Sequence, residues 1–137
     1  MRKAMGARMP QTILVIDDNV QITHLLRGIL RQENYRVVIS NEPQLCQELL
    51  ERESPDMVIV DVCMPDMDGW EVCEKIREKS NIPILVLTVL SEKRYIDRTM
   101  AAGANAHMSK PFTITEFLEQ VRTLLPRRIQ RLDAHRS

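Results

Sequence analysis

The sequence predicts an α/β fold built on a doubly wound parallel sheet, and three observations carry that reading. Short apolar runs of strand length alternate five times with stretches of helical period. Three of the runs are continuously hydrophobic, the pattern of strands covered on both faces. Helix-length segments separate successive strands, which implies parallel pairing with helices packed on both sides.

The elements follow in order. "TILVID" (12–17) is the first strand, and Ile22, Leu25, Leu26, Ile29 and Leu30 then fall on one helical face. "YRVVIS" (35–40) is the second strand; Leu45, Leu49 and Leu50 mark a second helix started by the Asn41-Glu42-Pro43 cluster. "DMVIVD" (56–61) is the third strand, with Val72, Cys73 and Ile76 on the helix after Gly69. "PILVLT" (83–88) is the fourth. Residues 91–101 form a helix ended by Gly103, and its apolar stripe is the poorest, essentially Ile96 and Met100 beside Tyr95. "ANAHMS" (104–109) alternates as a half-buried fifth strand. Ile114, Phe117, Leu118, Val121, Leu124 and Leu125 make the cleanest helical stripe, closed by Pro126. The continuous runs 1, 3 and 4 belong in the middle and strands 2 and 5 at the edges, the flavodoxin-like order 2-1-3-4-5.

Composition narrows the function. The 137 residues bound a single domain. Nineteen basic residues offset nineteen acidic ones, so bulk charge points neither to nucleic acid nor to a membrane surface. No apolar run approaches the ~20 residues of a membrane span. Three cysteines without a CxxC spacing read as reduced, packed thiols of a cytoplasmic protein. Residues 1–10 read as a disordered basic segment, residues 11–126 as the domain, and residues 127–137 as a basic tail or linker.

Chemistry gathers at the carboxyl ends of the strands. In this order the winding reverses between strands 1 and 3, where ligands bind. Asp17 and Asp18 end strand 1 and Asp61 ends strand 3, so three carboxylates line the switch point. Such a group is unstable alone and matches a hard dication such as Mg2+, which takes oxygen ligands and pairs carboxylates with phosphate. Thr88 ends strand 4 with a hydroxyl, and Lys110 ends strand 5 with a mobile cation. A carboxylate so placed can accept a phosphoryl group, because the transfer needs mainly positioning and charge neutralisation. Taken singly, each residue has an ordinary use: Asp17, Asp18 or Asn19 as a helix N-cap, Thr88 as a β-former, Lys110-Pro111 as a turn. Their coincidence at four strand ends is what points to function.

With "DD" (17–18), "DVCMPDMDGWE" (61–71), "PILVLT" (83–88) and "AAGANAHMSKPF" (101–112), the chain resembles the receiver domains of two-component response regulators over residues 11–126. The resemblance implies that Asp61 is the phosphoacceptor. It implies that Asp17, Asp18, Asp61 and the backbone carbonyl of Cys63 hold Mg2+, and that Thr88 and Lys110 contact the phosphoryl group. Pro65 and Gly69 would shape the loop beside Asp61. The Lys110–Pro111 bond would be cis. The donor would be a phosphohistidine on a histidine kinase or histidine phosphotransfer protein. Output would pass through helix 4, strand 5 and helix 5 to a downstream domain or protein, with Thr88 and His107 as switch residues. The sparse stripe of helix 4 fits a mobile element.

Some positions depart from the family pattern. Val89 stands where a small residue is usual and His107 where Tyr or Phe is usual. Asn105, Ala106 and Gln120 replace charged residues of the salt-bridged dimers of winged-helix regulators. Two other function classes compete: a small Mg2+-dependent phosphatase, which would be expected to carry a DxD motif after strand 1, and a phosphorylation-independent pseudo-receiver, against which the intact acids, Thr88 and Lys110 argue. A receiver excised from a larger transcription regulator or hybrid kinase is a further possibility.

Overall fold

The computed structural model describes residues 10–62 and 67–126. Among these residues the strands are β1 (Thr12–Ile16), β2 (Arg36–Ser40), β3 (Met57–Asp61), β4 (Ile84–Thr88) and β5 (Ala106–Ser109). The helices are α1 (Val20–Gln32), α2 (Cys46–Glu53), α3 (Gly69–Arg77), α4 (Lys93–Ala101) and α5 (Ile114–Leu124), and a 3-10 turn, Pro43–Leu45, precedes α2. The sheet runs β2-β1-β3-β4-β5 with every neighbouring pair parallel. This is the predicted flavodoxin-like order, with β1, β3 and β4 interior.

Successive strand side chains point to opposite faces, so each interior strand feeds two cores. Leu14, Ile16, Val58, Val60, Ile84 and Val86 pack with Leu49 of α2 and with Val72 and Ile76 of α3. Ile13, Val15, Met57, Ile59, Leu85 and Leu87 pack with Leu26 and Leu30 of α1 and with Phe117 and Val121 of α5. Cys46 and Cys73 are free and buried in the first of these cores. Burial pushes both thiols up, Cys73 to about 12, so they act as packed apolar groups.

Helix boundaries have visible causes. The Asn19 side chain accepts from the backbone N–H groups of Gln21 and Ile22, so Asn19 caps α1 and leaves the two aspartates before it available. Asp68 caps α3 by accepting from Glu71 N. Thr113 and Glu116 form a reciprocal capping box on α5. Gly103, with φ +110°, turns the chain after α4 in a conformation that side-chain-bearing residues resist.

Four apolar assignments need correction. Leu25 is 58% exposed, because the buried stripe of α1 runs through Thr23, Leu26 and Leu30; at about 100° per residue Leu25 falls outside it. Ile114, at the first position of α5, is 57% exposed. Leu45 belongs to the 3-10 turn and is exposed, while Cys46 takes the buried position. Met100 is exposed, and the single buried side chain of α4 is Thr99. Residues 1–9 and 127–137, read as the basic segment and the tail, lie outside the described residues, as do Cys63 and Pro65.

Candidate functional site

Strand register brings the polar ends together. Ile16 pairs with Val60, so the next residues, Asp17 and Asp61, leave β1 and β3 side by side. Asp61 pairs with Leu87, and Thr88 pairs with Ser109, which places Lys110 at the adjoining end of β5. One carboxylate oxygen each from Asp17, Asp18 and Asp61 lie within 4.8 Å of one another. Lys110 Nζ stands 3.4 Å from Asp61 Oδ2.

Each side chain is held by its neighbours. Asp17 is buried; its Oδ1 accepts from Asn19 N at 3.0 Å and its backbone carbonyl accepts from Asn41 Nδ2 at 2.7 Å. Asn41 Nδ2 also reaches Thr23 Oγ1 at 3.2 Å, tying the acidic turn to α1. Thr88 is buried, and its Oγ1 accepts from Leu90 N at 2.9 Å. Lys110 N donates to Thr88 O at 2.8 Å, fixing the start of the lysine's own chain. The Lys110–Pro111 peptide is cis. Gly69 lies flat against β3: its N–H donates to Val62 O at 2.9 Å, and an added Cβ would collide with Asp61 O and Val62 Cα.

Electrostatics favour a bound cation. Burial pushes the Asp17 carboxyl up to about 6, and the charge of Asp61 adds to that, against the N–H of Asn19 and the cation of Lys110. Three convergent carboxylates, one of them buried, form an oxygen-donor set suited to a hard divalent ion.

The predicted residues therefore divide as follows. Asp17, Asp18, Asp61 and Lys110 converge at one sheet edge, and the buried Thr88 stands at the same edge as the last residue of β4. Cys63 lies outside the described residues. His107 is half-buried on the edge strand, paired with Val86 rather than with Thr88. Val89 is 62% exposed beside Thr88. Asn105 serves the fold, since its Oδ1 accepts from Arg77 Nη2 at 2.7 Å and Ile84 N at 2.8 Å. Sequence reasoning read Asn41 only as part of the cluster that starts the second helix, not as a residue of the site. Its position just after β2 is the only cue, because its role depends on β1 lying alongside.

Comparison with known proteins decides the family. The model of the response regulator receiver domain matches residues 13–122. The chain belongs to that family. This receiver domain is 35% identical over 122 residues to the transcriptional regulatory protein PdtaR of Mycobacterium tuberculosis, covering 88% of this chain and 60% of the relative. It is 37% identical over 120 residues to the response regulator MprA of Mycolicibacterium vanbaalenii, covering 87% and 52%. The receiver domain thus spans roughly half the length of these relatives. Among solved structures it resembles the BeF3-activated N-terminal receiver domain of Klebsiella pneumoniae RstA, with TM-score 0.81, 25% identity, and coverage of 85% of this chain and 100% of that one. A putative response regulator of Chloroflexus aurantiacus matches with TM-score 0.80 and 30% identity, covering 87% and 100%. Receiver domains are generally not catalytic enzymes. Among the described residues no helix is long and apolar enough to cross a membrane.

Proposed function

We propose that this receiver domain is a cytoplasmic signalling switch that accepts a phosphoryl group on Asp61 from a phosphohistidine of a histidine kinase or phosphotransfer protein. The observation that carries the reading is the convergence of Asp17, Asp18 and Asp61 with Lys110 Nζ 3.4 Å from Asp61 Oδ2. A phosphoacceptor carboxylate needs neighbours that gather positive charge about the incoming phosphoryl oxygens, and this edge provides them.

In the transfer, one Asp61 carboxylate oxygen forms the new bond to phosphorus as the phosphorus–nitrogen bond breaks. The electron pair returns to the donor imidazole, which takes up a proton from solvent. Lys110 pairs with a phosphoryl oxygen and the Thr88 hydroxyl donates to another. Asp17, Asp18, Asp61 and the Cys63 carbonyl would hold Mg2+, which supplies charge neutralisation to the transferring group. The chain's own reactivity extends to self-phosphorylation and self-dephosphorylation only. Beside Lys110, a groove of about 250 Å³ lined by Ile22, Leu25, Ile29, Phe112 and Ile114 offers apolar surface for the donor protein to approach the acceptor.

The product carries about −1.5 to −2 charge where a single carboxylate stood. Thr88 turns toward it, His107 follows from β5, and α4, β5 and α5 present the altered surface to an output domain or protein. PdtaR, named a transcriptional regulatory protein, is longer than the matched region, which supports an output of that kind; residues 127–137 keep the reading of a basic tail or linker.

The test is phosphorylation by acetyl phosphate with Mg2+, followed by intact mass. One phosphoryl group is expected on the parent chain and none on Asp61→Asn; full labelling of that variant refutes the assignment.

A further inference from the structure

Helix α4 buries a single side chain, and three of its residues meet α3. Thr99, its single buried side chain, accepts from Trp70 Nε1 at 2.9 Å and donates to Tyr95 O at 2.8 Å. The Tyr95 ring stacks on the Trp70 ring, with centroids 6.2 Å apart and planes 9° from parallel. Arg98 lies over the same indole at 5.2 Å and reaches Glu74 of α3 at 3.3 Å. Tyr95, Arg98 and Thr99, on successive turns of α4, all meet Trp70.

Trp70 is in turn coupled to the phosphoacceptor strand. It follows Gly69, whose backbone is pressed against the Asp61–Val62 peptide with no room for a Cβ. A displacement of the Asp61 carbonyl therefore meets the first turn of α3 directly. The connection into α4 has its own tie to the site, because Leu90 N donates to Thr88 Oγ1. Turning that oxygen toward a phosphoryl group on Asp61 releases Leu90, three residues before α4 begins.

From these contacts we infer that Trp70 is a latch: its indole N–H and ring hold α4 against α3 while Asp61 is unmodified, and the switch to the phosphorylated state requires their release. The inference rests on the phosphoacceptor reading and adds a positioning residue outside the acceptor site. An element with little buried surface opens at low cost, so a single anchoring residue can set its equilibrium. Whatever Trp70 contributes to the latched state is subtracted from binding of any ligand that selects the released one.

The test uses the full chain and three conservative variants. Trp70→Phe keeps a stacked ring without the N–H, Thr99→Val removes the acceptor, and Thr99→Ser restores it. Beryllofluoride with Mg2+ serves as the phosphoryl mimic, and its binding is followed by fluorine NMR. Trp70→Phe and Thr99→Val are expected to bind it about five-fold more tightly than the parent, the factor one neutral hydrogen bond contributes; Thr99→Ser matches the parent. In the absence of the mimic, the same two variants speed amide hydrogen exchange across residues 93–101 and leave α1 unchanged. A merely structural tryptophan would speed exchange everywhere and would not tighten the mimic. Equal or weaker binding by Trp70→Phe overturns the latch. Failure of the parent chain to bind the mimic instead overturns the phosphoacceptor reading. The exchange measurement then decides the latch alone, and unchanged rates at 93–101 overturn it.

Discussion

Lys110 and Asp61 meet across the sheet edge with Nζ 3.4 Å from Oδ2, although β4 lies between the strands that carry them. The lysine reaches over the end of β4, where its own backbone N–H is bound to Thr88 O. The fold itself thus places this cation in the acidic cluster, where it competes with any metal for the carboxylate oxygens. Lys110→Ala is expected to slow phosphorylation of Asp61 by about 100-fold, as loss of a preorganised charge partner does. The same change should tighten Mg2+ binding, because a competing positive charge is gone. Labelling rates and Mg2+ titrations separate the two effects; weaker Mg2+ binding in the variant would contradict the arrangement.

The Asp17 carboxyl yields a pH dependence whose sign is set. Burial raises it from 3.8 to about 6, so between those values the folded protein holds the proton and the unfolded chain does not. Stability from this group is full below the lower value and is lost as pH rises through about 6. Mg2+ requires the ionised form, so its affinity moves the other way and falls roughly ten-fold between pH 7 and pH 5. Thermal midpoints across a Mg2+ series at the two pH values measure this. Asp17→Asn should remove the rise in metal-free stability toward low pH.

At Gly69 a methyl group has nowhere to go, since Asp61 O and Val62 Cα already occupy the space. Both neighbours are backbone and cannot rotate away. Gly69→Ala is expected to destabilise the domain by about 1–3 kcal/mol and to disturb the Asp61 peptide. Urea unfolding gives the first quantity, and beryllofluoride affinity the second. A neutral effect on stability would show that α3 shifts freely against β3.

Val89 offers the opposite case, a side chain with little structural work. It is 62% exposed beside the buried Thr88, so Val89→Ala should change stability by less than about 0.5 kcal/mol. Removing its branched side chain, next in sequence to Thr88, is expected to open the site to water and so shorten the lifetime of the aspartyl phosphate. Decay of the phosphorylated mass with time provides the measure; an unchanged lifetime means the side chain leaves water access unaffected.

Much of the fold was legible because its signals are local. Continuous apolar runs such as Ile13–Ile16 and Val58–Val60 announce buried strands, and helices between them leave few ways to wind a parallel sheet. The acids, Thr88 and Lys110 were legible as a set for the same reason: once strand order is known, strand ends fall together. Apolar periodicity overreached at Leu25, Met100 and Ile114. A stripe records which residues are hydrophobic, while burial depends on which neighbour covers them.

Tertiary structure alone decided three things. The raised Asp17 carboxyl depends on how deeply the β1 end is buried and on Asp61 and Lys110 approaching from two other strands. Asn41 serves that turn only because β2 lies beside β1. Trp70 meets Thr99 and Tyr95 from a different helix, twenty-nine residues from the hydroxyl it binds. Strand and helix periods are written in neighbouring residues, whereas hydrogen bonds, desolvation and charge coupling act through space between segments whose approach no local pattern encodes.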